Sequence, residues 1–175
     1  MSLKKVLSLV VLTVIICVVS AGAVLALPTY YKLPVDLAVE AATEAVQACK
    51  AQGYNVTATV VNTEGNVQVV IRGDNAAPHT IENSFNKAYT IATLGSIMKV
   101  NTTSEIVTKS VSNTPTSYPL PRTPLKGLAF QPGAVAIKVG EQIVGALGAS
   151  GAPGGQYDEA CVQQGLAKIQ AKLVS

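Results

Sequence analysis

The sequence has few of the residues on which most metal and catalytic sites depend. Its 175 residues include one histidine, three cysteines and no tryptophan, and only 13% are charged. This set excludes a histidine-based zinc site of the usual kind. The 13 lysines and arginines exceed the 10 acidic residues by three and form no basic run, which excludes a typical nucleic-acid-binding surface. A serine or cysteine hydrolase stays open, because His79 could act as its base.

The N-terminal segment has the pattern of a targeting signal. Lys4 and Lys5 precede a long uncharged apolar run, and a cluster of small residues follows it. This pattern predicts a secretory signal peptide over residues 1–26. The alternative is an uncleaved membrane anchor over residues 6–27, which is just long enough to span a bilayer. Both interpretations make the remaining domain, residues 27–175, extracytoplasmic, and cleavage makes it secreted or periplasmic.

The cysteines that remain after cleavage are Cys49 and Cys161. Disulfides form and persist in the predicted compartment, so these two cysteines can be bridged. They can also be two separate buried thiols that pack as small hydrophobic side chains. The residues leave both options open. We expect the two terminal helices that carry them to pack on the same face of a sheet.

Hydrophobic periodicity predicts one α+β domain. Apolar residues at helical spacing predict helices over residues 34–52, 79–94 and 158–173, and a Thr-x-x-Glu capping box predicts a short helix over 102–110. Alternating or β-branched runs predict strands over residues 56–62, 67–72, 128–130, 134–139 and 143–149. The order α-ββ-αα-βββ-α indicates a five-stranded antiparallel sheet flanked by helices.

Single residues set the predicted ends and faces of these helices. Gly95 should end the second helix, and Asp158 should be the N-cap of the last one. The buried stripe of the second helix should consist of Ile81, Phe85, Ala88, Ile91 and Ala92. Residues 112–126 are rich in Ser, Thr and Pro and predict a surface excursion of unassigned role.

Two motifs resemble the signatures of the GlcG/HbpS-like family. One is Ala-Pro-His-Thr at residues 77–80 followed by Lys-Ala-Tyr-Thr at residues 87–90. The other is the glycine-rich stretch at residues 145–155 followed by Asp-Glu-Ala-Cys at residues 158–161. The resemblance extends over residues 35–173 in the same order. It departs from the family in the Pro-rich stretch, which is longer here.

The resemblance implies a five-stranded antiparallel sheet flanked by helices and an assembly into dimers or higher oligomers. It implies an extracellular or periplasmic haem-binding protein, with haem as cofactor and partner, that captures, buffers or senses haem. The alternatives are an enzyme that acts on haem or on a small hydroxy acid, and an oligomeric accessory module without a cofactor. We assign no catalytic residue. We expect no nucleic-acid partner, and contact with a membrane only through an uncleaved N-terminal segment.

The candidate haem ligand is His79, because it is the only imidazole and imidazole is a common axial ligand of haem iron. Arg72 and Lys87 lie close in sequence and are candidate partners of the propionates. Tyr89, Tyr118 or a threonine are alternative iron ligands. The alternative for His79 is a residue that caps the helix start or lies in solvent.

Overall fold

A four-stranded antiparallel sheet organises the residues that the computed structural model describes, which are 30–111 and 125–174. The spatial order is β2-β1-β4-β3, and the strands are β1 (Thr57–Asn62), β2 (Val67–Arg72), β3 (Ala134–Val139) and β4 (Gln142–Ser150). The predictions for residues 1–26, for Tyr118 and for most of the Pro-rich segment lie outside the described residues.

Helices cover both faces of the sheet. They are α1 (Val35–Ala51), α2 (Thr80–Met98), α3 (Thr103–Val111) and α4 (Gly155–Ile169), and the short 3₁₀ turn Gln170–Lys172 follows α4. One core cluster joins α1 and α4 to the sheet, and a second joins α2 and α3 to the other face. Within the described chain, no helix is both long and apolar enough to cross a bilayer.

The two terminal helices pack closely on the same face, as predicted. The small buried residues of α1 let α4 approach so closely that a Cβ at Gly165 would overlap the carbonyl oxygen of Ala41. Cys49 in α1 and Cys161 in α4 are fully buried and joined by a disulfide, with their Cα atoms 5.4 Å apart. Of the two alternatives for these cysteines, the structure has the bridge.

The predicted fifth strand, residues 128–130, is wrong. The backbone N–H of Ala129 donates to Thr90 Oγ1 in α2 at 2.8 Å, so it is not paired with a neighbouring strand. Gly127 and Gly133 have φ angles of +84° and +129°, and these left-handed turns on both sides prevent a continuous extended run. The described part of the sheet therefore has four strands.

Two predicted helix ends are also wrong. The helix α2 continues through Gly95 to Met98 and ends at Lys99, which has a φ of 53°. The helix packs closely at Gly95, where a Cβ would lie 2.9 Å from Ile143 Cδ1 and 3.2 Å from the Val100 carbonyl oxygen. Gly154 takes the N-cap position of α4, and Asp158 lies within that helix.

The buried face of α2 is more polar than predicted. Ile81 is 41% exposed, whereas Thr80, Ser84 and Lys87 are buried against the sheet. The hydroxyls of Thr80 and Ser84 share hydrogen bonds with threonine hydroxyls of β1 at 2.7 and 2.8 Å. Since these pairs satisfy the buried oxygens, a polar stripe is compatible with close packing.

Candidate functional site

One end of the sheet brings together His79 and Arg72. Thr57 begins β1, and its backbone pairs with Arg72 of β2 on one side and with Ser150 of β4 on the other. The hydroxyls of Thr57 and Thr80 are 2.7 Å apart, which fixes the first turn of α2 over this end. Because His79 directly precedes Thr80, the two predicted site residues belong to the same end of the sheet.

His79 occupies the N-cap position of α2 but does not act as a side-chain cap. Its backbone carbonyl accepts a hydrogen bond from the Asn83 N–H at 3.1 Å, while its side chain makes no capping hydrogen bond and is exposed. Exposed apolar residues surround it in sequence, namely Ala77, Pro78 and Ile81. The imidazole is therefore presented to solvent beside a small apolar surface.

Arg72 holds the loop that leads to His79. Its Nε donates to the carbonyl oxygen of Ala76 at 2.9 Å, and its Nη2 donates to the same oxygen. Ala76 is buried, so this clamp fixes the backbone three residues before His79. The contact uses two of the five guanidinium N–H groups, and the side chain is exposed.

The Lys87 side chain lies in the protein interior, and its ammonium contacts the residue that precedes Ser150. Its Nζ donates to Asp158 Oδ2 at 2.8 Å and to the Ala149 carbonyl oxygen at 3.0 Å. The two charged side chains are only 2% and 3% exposed. Burial raises the pKa of the Asp158 carboxyl above its ordinary value, and this effect outweighs the opposite effects of the Lys87 ammonium and the Ala152 N–H. In this arrangement the Lys87 ammonium is not accessible to a propionate.

Glu159 continues the buried polar network beside that ion pair. Its Oε2 accepts hydrogen bonds from Thr103 Oγ1 at 3.2 Å and from the backbone N–H groups of Ser104 and Gly133 at 3.1 Å each. The network joins α4 to the start of α3 and to the segment before β3. The sequence did not lead us to predict this network. One signal was available, because Lys87 lies at helical spacing among the buried residues of α2.

Tyr89 lies toward the opposite end of the sheet. A Cβ at Gly65, in the turn between β1 and β2, would overlap its ring, and one at Gly127 would lie 3.4 Å from it. The Phe85 ring lies 5.6 Å from it, centroid to centroid. The structure therefore does not bring Tyr89 together with His79.

One open cavity lies at the end of the sheet that carries Arg72, and another lies near the β1–β2 turn. Arg72 lines a cleft of about 410 Å³ together with Lys50, Tyr54 and Asp74. A more apolar groove of about 510 Å³ lies near the β1–β2 turn, and the sequence reasoning missed the two tyrosines that line it, Tyr30 and Tyr31. Across residues 30–111 and 125–174, no three His, Cys, Asp or Glu side chains converge on a possible metal position.

Comparisons with known proteins agree on one fold. Residues 33–167 match a family model described as haem degrading protein HbpS-like. The crystal structure of HbpS is 30% identical, has a TM-score of 0.68, and aligns over 84% of this chain and 96% of its own. No curated protein matches the chain.

Two more distant structures share the fold. The Klebsiella pneumoniae protein ORFY is 22% identical, with a TM-score of 0.72 and coverage of 85% of this chain and 99% of its own. The haem complex of PduOC is 22% identical, with a TM-score of 0.67 and coverage of 79% of this chain and 96% of its own.

Proposed function

We propose, from the premise that this chain belongs to the HbpS-like family, that it binds haem at the end of the sheet that carries His79 and Arg72. The family is described by an activity on haem, and one neighbour of the same fold was solved as a haem complex. The observation that carries the site is the exposed, non-capping imidazole of His79 at the end of the sheet that also holds Arg72.

The residues at this end fit the chemical needs of haem. A neutral imidazole can serve as axial ligand to the iron, which is the role proposed for His79. The guanidinium N–H groups that Arg72 does not use on Ala76 suit a carboxylate such as a propionate. The exposed apolar residues Pro78 and Ile81 offer contact to the porphyrin. Bound haem would supply an iron centre that takes up small ligands and changes oxidation state.

The proposed location is outside the cytoplasm, and the proposed role is capture, buffering or sensing of haem. The signal-peptide pattern of residues 1–26 supports this location, and so does the Cys49–Cys161 disulfide. Disulfides persist in secreted and periplasmic proteins and are rare where glutathione keeps thiols reduced.

The site is tested by haemin titration of single variants. His79→Ala should weaken haem binding at least about tenfold, about 1.4 kcal/mol, and should move the Soret band. Arg72→Gln should also weaken binding, because it removes a propionate partner and the clamp on the Ala76 carbonyl oxygen that fixes the loop before His79. The matched control is Glu82→Ala, an exposed residue in the first turn of the same helix. An unchanged spectrum and affinity in His79→Ala would contradict the site.

A second candidate function is haem degradation, which the family description favours. The test adds O₂ and an electron donor to the haem-loaded protein. Loss of the Soret band with formation of an open-chain tetrapyrrole would support an enzyme. A stable Soret band through repeated reduction and reoxidation would support binding alone.

A further inference from the structure

Two neighbouring cavities form one groove at the end of the sheet that carries the β1–β2 turn. The apolar groove described above adjoins a cavity of about 370 Å³ beside the C-terminal end of α2, and Ser96 and Ile143 line both. Ala92, Ser96 and Lys99 follow one another at helical spacings of four and three, so they lie along one side of α2. Lys138 is the strand partner of Ile143, so both side chains lie on the sheet face that α2 covers. We call the two cavities together the α2 groove.

The apolar part of the α2 groove has a wall that is held in place. Tyr31 is 41% exposed and lines this part together with Ala92 and Ile143. Its N–H donates to Gln142 Oε1 at 3.3 Å, and Gln142 Nε2 donates to its carbonyl oxygen at 3.2 Å. Leu33, two residues further on, is buried in the core. Because these contacts fix the Tyr31 backbone against the start of β4, a ligand meets an apolar surface that is already formed.

The other part of the α2 groove carries a lysine whose ammonium is unpaired. Within residues 30–111 and 125–174, the Lys99 ammonium forms no ion pair, whereas Lys138 pairs with the fully exposed Glu141 at 3.2 Å. Lys99 is not needed to cap α2, because Lys109 Nζ donates to the carbonyl oxygens of Met98 and Lys99 at 2.7 and 3.3 Å. The Lys99 ammonium is therefore available to an anion.

The backbone of Lys99 is a second observation at the same position. Its φ of 53° lies in the left-handed region, which at a helix end is usually occupied by glycine and sometimes by asparagine. A lysine in this conformation costs backbone free energy that a glycine would not. The long cationic side chain is present although the turn alone favours glycine, which supports a role for its ammonium.

We propose that the α2 groove binds a small aromatic carboxylate. The aromatic ring lies against the apolar wall, where an offset contact with the Tyr31 ring is favourable, and the carboxylate pairs with the Lys99 ammonium. The groove carries one net positive charge, which favours an anion. The charged residues that line it are three lysines and two glutamates, namely Lys32, Lys99, Lys138, Glu64 and Glu141. This site is separate from the proposed haem site, because His79 lies at the opposite end of the sheet.

The ligand class is tested with anilinonaphthalene sulfonate (ANS), an aromatic anion whose fluorescence increases in an apolar site. The purified protein should bind ANS saturably. Naphthoate should displace the bound ANS, and naphthamide, which has the same rings without the charge, should displace it much less. An absent or non-saturating ANS signal, or equal displacement by naphthamide, would overturn the proposal.

The role of the ammonium is tested by Lys99→Gln. This variant should bind ANS about three- to tenfold more weakly, because it loses one charge-assisted contact at an exposed position. Its ANS affinity should also depend less on salt. The matched control is Lys168→Gln on α4, at the other face of the sheet, which removes the same charge and breaks only an exposed pair with Glu44. Wild-type affinity in Lys99→Gln, or an equal loss in Lys168→Gln, would contradict the assignment.

A second pair of variants places a negative charge at the junction of the two cavities. Ser96 is exposed, so Ser96→Glu should keep the far-UV circular dichroism and weaken ANS binding at least as much as Lys99→Gln. The matched control is Ile97→Glu, at the next residue of α2, where the wild-type side chain is 67% exposed and lines neither cavity. His79→Ala should bind ANS as wild type does. Equal loss in the Ser96 and Ile97 variants, or loss of ANS binding in His79→Ala, would overturn the proposed site.

Discussion

Replacing Lys87 by methionine should destabilise the fold strongly. The Lys87 ammonium lies 2.8 Å from Asp158 Oδ2, and both side chains are almost completely buried. Methionine keeps most of the volume but removes the charge, so the Asp158 carboxylate stays buried without its cation. Removing one partner of a buried ion pair costs about 3–5 kcal/mol of unfolding free energy. We expect a loss of this size at neutral pH.

The loss should depend on pH in a defined direction. Burial already raises the pKa of Asp158 in the native chain, and the Lys87 ammonium opposes that rise, so the pKa should rise further in Lys87→Met. A carboxyl group whose pKa is higher in the folded chain than in the unfolded chain contributes its full stability below the unfolded-state pKa, which is about 3.9. This contribution to the unfolding free energy is lost as the pH rises through the folded-state pKa. The difference between variant and wild type should therefore shrink as the pH falls from neutral toward about 4.

The assay is urea unfolding followed by circular dichroism and tyrosine fluorescence, since the chain has no tryptophan. Lys87→Met/Asp158→Asn should recover much of the lost stability, because it removes the unpaired carboxylate. The matched control is Lys50→Met, which breaks the exposed pair with Asp74 (side chains 69% and 85% exposed) and should cost less than about 1 kcal/mol. A loss in Lys87→Met below about 1 kcal/mol, or one that is independent of pH and not rescued, would refute the reasoning.

Three further predictions concern the bridge, one glycine and the N-terminus. Replacing Cys49 and Cys161 by serine should lower the unfolding free energy by on the order of 4 kcal/mol, because the bond spans 112 residues of sequence; an unchanged urea midpoint would contradict this. Gly133→Ala should cost about 1–3 kcal/mol in the same assay, since φ is +129° and a Cβ would lie 2.7 Å from Lys87 Nζ; wild-type stability would argue against the left-handed turn at this position. Intact mass of the exported protein should correspond to a chain that begins at Leu27 or at Val24, and recovery of the uncleaved chain in membranes would favour the anchor.

The sequence predicted correctly those helices and strands that are marked by residues a few positions apart. The helix α1 and the strand β2 agree with their predicted ranges within one residue, because helical periodicity and a four-residue turn mark them. One half of the capping box of α3 also forms: the Glu105 N–H donates to Thr102 Oγ1 at 3.2 Å, whereas the Glu105 carboxylate accepts from the Asn101 N–H at 2.6 Å and not from the Thr102 N–H. These features depend on residues a few positions apart, so the sequence carries enough information.

Where the predictions were wrong, contacts between residues that are distant in sequence determine the structure. Residues 128–130 have an apolar run typical of a strand, but Thr90 takes the Ala129 N–H. Asp158 has the residue type and position of an N-cap, yet its carboxylate pairs with Lys87, 71 positions away in sequence. In the candidate site, proximity in sequence grouped Arg72 with His79, and the structure has both residues at one end of the sheet. Proximity in sequence could not show that the Lys87 side chain, on the buried side of α2, is inaccessible to a ligand.

The most direct test of haem binding is an absorbance titration of the purified wild-type protein with haemin. We expect a Soret band shifted from that of free haemin that saturates at one haem per chain. Absorbance that increases in proportion to added haemin, with the spectrum of free haemin throughout, would contradict the proposed function.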